Sequence, residues 1–487
     1  MSHSLLDAQT WTGRLYSDGW TAGSGGVAAV TAPATGETLG EVGVATPDDV
    51  LKASPRAAEA QRAWAATPPE ERAAVLRRAG ALWEQHAAEI EDWIVRESGS
   101  IPPKAQLETH RAAADCYEAA GLATHPVGDV LATNEERWSM ARRRPVGVVS
   151  VIAPFNFPLI LSSRSIAPAL ALGNAVLLKP DPRTAVCGGI VHARIYEEAG
   201  LPPGLLHVLP GGVDVGEAVV SAPEVRVVSF TGSTAAGRRV GQLGAQHLKR
   251  THLELGGNNA LVVLPGADLA KAASAGAFGS FMHQGQICMT TGRHLVHESL
   301  HDEYVAALVE KATHLPVGDP ASGQVALGPL IDAGQLERVD AVVQGTVAAG
   351  GTLAAGGTFT DLFYSPTVLS GLTPDMPAWS QEIFGPVAPV LPFSTDDEAI
   401  SLAATGSYGL SLGILGDVGR AMRIADAVPS GIVHINEQTV ADEPMVPFGG
   451  VGESGTGSRF GGAAANLEAF TETQWLTLRP EIAAYPF

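Results

Sequence analysis

Three side chains of complementary chemistry lie far apart in this sequence, each among glycines or prolines. Cys288 sits in Ala277–Arg293 (AFGSFMHQGQICMTTGR), Glu254 in Leu253-Glu254-Leu255-Gly256-Gly257, and Asn156 in Pro154-Phe155-Asn156-Phe157-Pro158. A thiol attacks as its thiolate, so a nucleophilic cysteine needs an electropositive, partly open setting and close backbone approach by the substrate. Gly285, just upstream of Cys288, carries no side chain to block that approach. A proton-moving carboxylate, an amide donor for an oxyanion and a thiol together would form an acyl-transfer site. Taken alone, Cys288 between Ile287 and Met289 reads first as a small buried hydrophobe. The company of Glu254 and Asn156 tips the reading toward chemistry.

A second chemical feature is Phe230-Thr231-Gly232-Ser233-Thr234, where a strand pattern gives way to a helix pattern. Gly232 would let the backbone approach a pyrophosphate, and a helix N-terminus supplies N–H donors and a positive dipole end. An ordinary N-capped helix after a tight turn explains the same residues. The segment is neither G-x-G-x-x-G nor a P-loop. Two other matches fail on context. His297-Glu298-Ser299-Leu300-His301 fits the H-E-x-x-H zinc pattern, but it follows strand-like Arg293–His297 and no third ligand is signalled, so no metal is expected. Gly409-Leu410-Ser411-Leu412-Gly413 fits the G-x-S-x-G elbow, yet it runs into strand-like Ile414 and Leu415 where an elbow must turn into a helix.

The elements that must position these groups are legible as runs. Gly147–Ala153, Ala175–Lys179, Leu206–Leu209 and Val225–Phe230 read as buried strands, separated by helical Ala185–Glu198 and Gly237–Leu248. Such a succession predicts a parallel, doubly wound α/β sheet with its ligand crevice at the strand C-termini, where Lys179, Gly232 and Ser233 fall. A second α/β succession starts near Asn259 and runs through Ile414, Ile432–Ile435 and the Gly-rich loop Pro447–Gly462; it is expected to face the first across a cleft. Upstream, short β-like pieces reach about Asp49, Asp48–Ser98 reads helical with Trp64, Leu76, Leu82, Trp83 and Ile90 as core, and Gln106–Ala123 reads as a further helix. Thr67-Pro68-Pro69-Glu70 predicts a helix start with Thr67 as capping hydroxyl.

Bulk properties bound the function. At 487 residues the chain is too long for one core, and its 45% apolar content suits several. The net charge of −20 opposes nucleic-acid binding, which needs surplus Lys and Arg. Cys116, Cys187 and Cys288 are odd in number and widely spaced, which fits neither disulfides nor a metal site and predicts a reducing cytoplasm. The N-terminus lacks the basic and apolar regions of a signal peptide, and the most apolar run, Ile166–Leu178, is broken by Pro168, Gly173 and Asn174, so no membrane association is expected.

PFNFP, KPDPRT, FTGST, LELGGNN, GQICM, EIFGPV and PFGGVGESGTG stand in the order and spacing of the aldehyde dehydrogenase superfamily, which the chain resembles from about residue 15 to its C-terminal segment. GQICMTTGRHLV and PFGGVGESGTGSRFGG look most like the benzaldehyde and vanillin dehydrogenases of bacterial aromatic catabolism. The resemblance implies two doubly wound αβα domains and a small β oligomerisation element. A variant Rossmann cofactor domain would comprise residues 1–122 and 146–256, a catalytic domain 257–465, and the oligomerisation element 123–145 with 466–487, giving a homodimer or homotetramer.

By the same resemblance, Cys288 attacks an aldehyde, Asn156 and the Cys288 N–H hold the oxyanion, and Glu254 activates water to release the acid. Lys179, Gly232, Ser233, Pro154, Phe155, Gly256, Glu382 and Phe384 would bind the dinucleotide. The Glu that often marks NAD preference is replaced by Pro182, with Arg183 next and no carboxylate to repel a ribose phosphate, so NAD is expected with NADP use open. Phe157, Arg164, Met282 and Phe448 would form an aromatic-aldehyde pocket, Arg164 standing where relatives often carry Trp; core packing explains each of these residues as well. Phe460 replaces a Glu that many relatives carry as a proton-relay residue. Benzaldehyde is the expected substrate; vanillin, salicylaldehyde or aliphatic aldehydes, and a non-catalytic dinucleotide-binding protein, are the alternatives.

Overall fold

The computed structural model describes residues 4–487. The apolar runs become the strands of two seven-stranded sheets. In the first, the order is Arg250–Glu254, Val225–Thr231, Val148–Ile152, Ala175–Lys179 and Leu206–Val208, all parallel. Arg14–Ser17 and Trp20–Ala22 extend it antiparallel. Register decides the function of this sheet: Ile152 pairs with Lys179 and with Phe230, and Thr231 pairs with Glu254. The C-terminal ends therefore align, and the turns carrying Asn156, Lys179, Gly232 and Glu254 emerge at one edge.

Helices cover this sheet because each has a start signal and an apolar face. Pro47–Ala66 opens on a capping box in which Asp49 accepts from the Thr46 N–H at 2.9 Å. The expected Thr67 cap is not formed: Pro68 takes the capping position of helix Pro69–Gln85, and the Thr67 hydroxyl donates back to the Ala63 carbonyl at 3.1 Å. The preceding helix needed its last carbonyl satisfied, and that contact won. Ala87–Ser98 and Pro102–Ala123 follow, and Pro158–Ala171 is buried along its whole length.

The second sheet runs Thr352–Ala355, Thr367–Ser370, Val387–Phe393, Thr291–His297, Asn259–Val263, Ser411–Leu415 and Ile432–Ile435, parallel apart from its first strand. His297 ends a strand and His301 opens helix His301–His314, so the H-E-x-x-H residues do not share a helix. Ser411 likewise begins a strand and not a helix. Thr471–Leu478 pairs along its length with Trp138–Pro145, beside Gly128–Val130, in a separate three-stranded sheet that leaves Trp138 and Trp475 exposed. Before reaching it the chain returns to the first core, where Phe460, Ala469 and Phe470 are buried. Among the described residues no helix is long and apolar enough to cross a membrane.

Candidate active site

A cleft of about 480 Å3 opens at the aligned strand ends, in the range of small-molecule sites. Pro154, Phe155, Asn156, Lys179, Gly232, Ser233, Gly256, Cys288, Glu382 and Phe384 all line it. Phe157, Met282 and Phe448 pack with Cys288, Ile287, Met289 and Leu410 in one apolar cluster behind the thiol. Glu254 and Arg164 do not line the cleft; Arg164 and Phe448 line a second, smaller cavity.

The nucleophile loop is held by unusual backbone. His283, Gln284 and Gly285 are consecutive left-handed residues, with φ of 49°, 57° and 65°. Two of them bear side chains, a conformation that costs roughly 1 kcal/mol or more each without compensation. The compensation is visible. Gln284 Nε2 donates to the Pro329 carbonyl at 2.8 Å, and the Gln286 side chain accepts from the Ile331 N–H at 3.0 Å. Asn259 Nδ2 donates to the carbonyls of Cys288 and Thr290, each at 2.8 Å. Gly285 presses so closely on the Gly385 carbonyl that a Cβ would stand 2.0 Å from its oxygen. Asn156 Nδ2 donates one hydrogen to the Gln286 carbonyl at 2.9 Å, which aims the amide at the same loop and leaves its second hydrogen for another acceptor.

Electrostatics couple the thiol to its neighbours. Cys288 is half-buried, and burial first of all pushes its thiol up to about 12; the Arg164 guanidinium pulls it down, while Glu382 and Glu254 push it further. Glu254 is 1% exposed at the last position of its strand, with no hydrogen-bond partner on either oxygen of its side chain. Burial raises it to about 8, against the pull of the Arg164 and Arg459 guanidinium groups. Glu382 accepts from the Gly257 N–H at 3.0 Å, and burial lifts it to about 7.

Arg164 is 8% exposed. Its Nη2 donates to Thr231 Oγ1 at 2.9 Å, its charge sits 4.9 Å from the Phe448 ring and 5.1 Å from the Phe460 ring, and Nε and Nη1 have no partner. Phe460 thus serves as a packing surface for a cation. Sequence reasoning missed the rest of this small cavity. Asp115, also 8% exposed, has an unpartnered Oδ2 and is raised to about 7 by burial; Arg111 pairs with Asp442 at 3.1 Å. Asp115 lies in an Ala-rich helix with nothing local to mark it.

The residues present fit a dinucleotide. A Cβ at Gly256 would meet the Glu382 carboxylate at 2.0 Å, so the cleft floor is kept clear by glycine. Ser233 caps helix Thr234–Gln246, whose N-terminus faces the cleft, while the Gly232 N–H is spent on the Glu254 carbonyl at 3.1 Å. One expectation needs correction: Arg183 is not free of carboxylates. Asp181 and Asp332 both bind it, because the turn after Lys179 and the start of helix Ala333–Ala348 meet across the cleft.

A model of the aldehyde dehydrogenase family matches residues 20–476. The vanillin dehydrogenase of Amycolatopsis sp. is 64% identical over 485 residues, 99% of this chain and 100% of that relative. The benzaldehyde dehydrogenase [NAD(+)] of Pseudomonas putida is 48% identical, covering 98% of each chain. The crystal structure of a salicylaldehyde dehydrogenase from Pseudomonas putida G7, complexed with salicylaldehyde, superimposes with a TM-score of 0.94 at 36% identity, covering 98% of this chain and 99% of that one.

Proposed function

Because the chain belongs to the aldehyde dehydrogenase family, we propose that it oxidises ring-hydroxylated aromatic aldehydes to carboxylic acids with NAD(P), using Cys288 as nucleophile. The observation that carries the substrate class is the small polar cavity lined by Arg164, Asp115 and Phe448, the last of which packs in the same cluster as Cys288. Arg164 offers two buried, unpartnered N–H groups, and Asp115 a buried, unpartnered oxygen. A phenol satisfies both, accepting from one and donating to the other, whereas a plain benzene ring or an alkyl chain leaves both unpaired, at a cost of about 1–3 kcal/mol each. The 64% identical relative is named for vanillin, itself a phenolic aldehyde.

The Cys288 sulfur adds to the carbonyl carbon while its proton passes to a base, the role we assign to buried Glu254. The new oxyanion takes the second Asn156 amide hydrogen and the Cys288 N–H, one such donor contributing roughly 3–4 kcal/mol in the transition state. The nicotinamide, when bound, supplies the hydride acceptor. Collapse to the thioester leaves a carbonyl that water attacks with Glu254 taking a proton; the acid departs and the thiol is restored. Pro154, Phe155, Lys179, Gly232, Ser233, Gly256, Glu382 and Phe384 would hold the dinucleotide. The first sheet (1–122, 146–256) would serve as cofactor domain and 257–465 as catalytic domain. Residues 123–145 and 466–487 would carry assembly to a homodimer or homotetramer, with the cytoplasm as location.

The test is kcat/KM with NAD for vanillin, salicylaldehyde, benzaldehyde and hexanal, with Cys288→Ala as blank. The phenolic aldehydes should lead, and Arg164→Met should cut the vanillin-to-benzaldehyde ratio about tenfold, or ~1.4 kcal/mol. Preference for hexanal, or an unmoved ratio in the variant, defeats the reading.

A further inference from the structure

Arg183 is the one cation beside Lys179 on the turn that leaves strand Ala175–Lys179 for the cleft. In doubly wound sheets the end of the second strand is where the adenosine ribose is read, a carboxylate favouring a free 2′-hydroxyl and an arginine a 2′-phosphate. An exposed Arg183 would read as a phosphate ligand. Arg183 is exposed, but its donors are already engaged. Nε and Nη2 donate to the two oxygens of Asp181, both at 2.8 Å, and Nη1 donates to Asp332 Oδ2 at 2.8 Å. Its face covers the Phe155 ring at 4.2 Å. Asp181 and Asp332 offset the charges of Arg183 and Lys179 at this end of the cleft, and Arg338 is the further cation that lines it.

Asp332 is the partner from across the cleft, and it too is fixed. Its Oδ1 caps helix Ala333–Ala348 by accepting from the Gln335 N–H at 2.8 Å, leaving Oδ2 for Arg183. On the reading that this cleft holds a dinucleotide, we infer that Asp332 is a positioning residue that sets the preference for NAD over NADP, by holding the Arg183 guanidinium in an ion pair and so keeping it from a 2′-phosphate. A phosphate of charge near −2 must displace a bidentate partner, or sit beside two carboxylates, to be bound.

The test is cofactor affinity without aldehyde, from quenching of protein fluorescence by NAD and NADP, with 5′-AMP and adenosine 2′,5′-bisphosphate as fragments. The wild-type chain should bind NAD more tightly than NADP. Asp332→Asn keeps a capping oxygen, since Asn and Asp cap equally well, and removes the charge; the Kd ratio of NADP to NAD should fall about tenfold or more. NADP binding by the variant should also weaken more steeply with salt. Adding Arg183→Ala should abolish that gain. Asp181→Asn, tested in parallel, should shift the ratio the same way even if Asp332→Asn fails to fold. A ratio unmoved in both Asn variants, or a gain that survives Arg183→Ala, overturns the inference. The two readings fail separately: NAD binding without aldehyde oxidation defeats the proposed function, whereas oxidation with an unmoved cofactor ratio defeats only the role of Asp332.

Discussion

Burial sets the chemistry of Glu254 before any substrate arrives. A carboxyl sealed from water keeps its proton to about 8, so at neutral pH only a minority of molecules carry the charged base. The sign for activity follows: the base form grows as pH rises through the folded value. Wherever thioester hydrolysis limits turnover, kcat should climb between pH 6.5 and 8.5 and then level. Glu254→Gln should keep a burst of reduced cofactor, lose most steady turnover, and lose this limb of the profile; the same limb in the variant would refute the assignment. At this scale the sequence was informative about types. Cys288 alone read as a small buried hydrophobe, and it was the company of Glu254 and Asn156 that marked the three as groups with chemistry. Asp115 and Asp332 did not stand out, because a carboxylate at a helix surface or a helix start has an ordinary local explanation.

The loop that carries the thiol is an element defined by backbone. Three left-handed residues precede Cys288, and the loop's own Gln284 and Gln286 side chains pin it to the backbone of Pro329 and Ile331, so the thiol is delivered by a strained turn fixed at several points. Gly285→Ala combines an unfavourable φ of 65° with a contact 2.0 Å from the Gly385 carbonyl, and backbone cannot step aside as a side chain tip can. We expect kcat/KM to fall about a hundredfold or more, as for an angstrom-scale misplacement of a nucleophile, with far-UV circular dichroism retained. Near-native turnover would mean the loop tolerates a different path. The glycine itself was visible in the sequence, but the need for it was not, since Gly385 lies a hundred residues away in the chain. The strands were legible because buried parallel strands are continuous apolar runs. The antiparallel addition of Arg14–Ser17 was not, since its partner is Val208 and nothing local records that pairing.

Across the whole molecule, Glu97, Asp115, Glu254 and Glu382 are buried acids raised to about 7 or 8. Each binds its proton more tightly folded than unfolded, so its contribution to stability is complete below about 4.5 and is lost as pH rises through the folded value. Buried His192, His207, His252 and His294 act oppositely, but only below their ordinary value of 6.5. Above that point the four acids outnumber the one opposing group of that range among the described residues, Lys249, which burial lowers to about 8. The midpoint of thermal unfolding should therefore drop by a few degrees between pH 6.5 and 8.5, and Glu254→Gln should flatten the drop; a rising midpoint would contradict the burial of these groups. Activity and resistance to heat then have opposite optima in that window.

Phe448 and Phe460 face each other through an isolated antiparallel bridge outside both sheets, and between them they seat Arg164. On the proposed reading, the aromatic part of the wall that meets the ring of the aldehyde hangs on a loop, whereas much of the cleft that would hold the dinucleotide is anchored to strand ends. Descendants of such a chain are free to drift toward new aldehydes by exchanging a few loop aromatics and one cation, while the oxidising machinery is inherited intact.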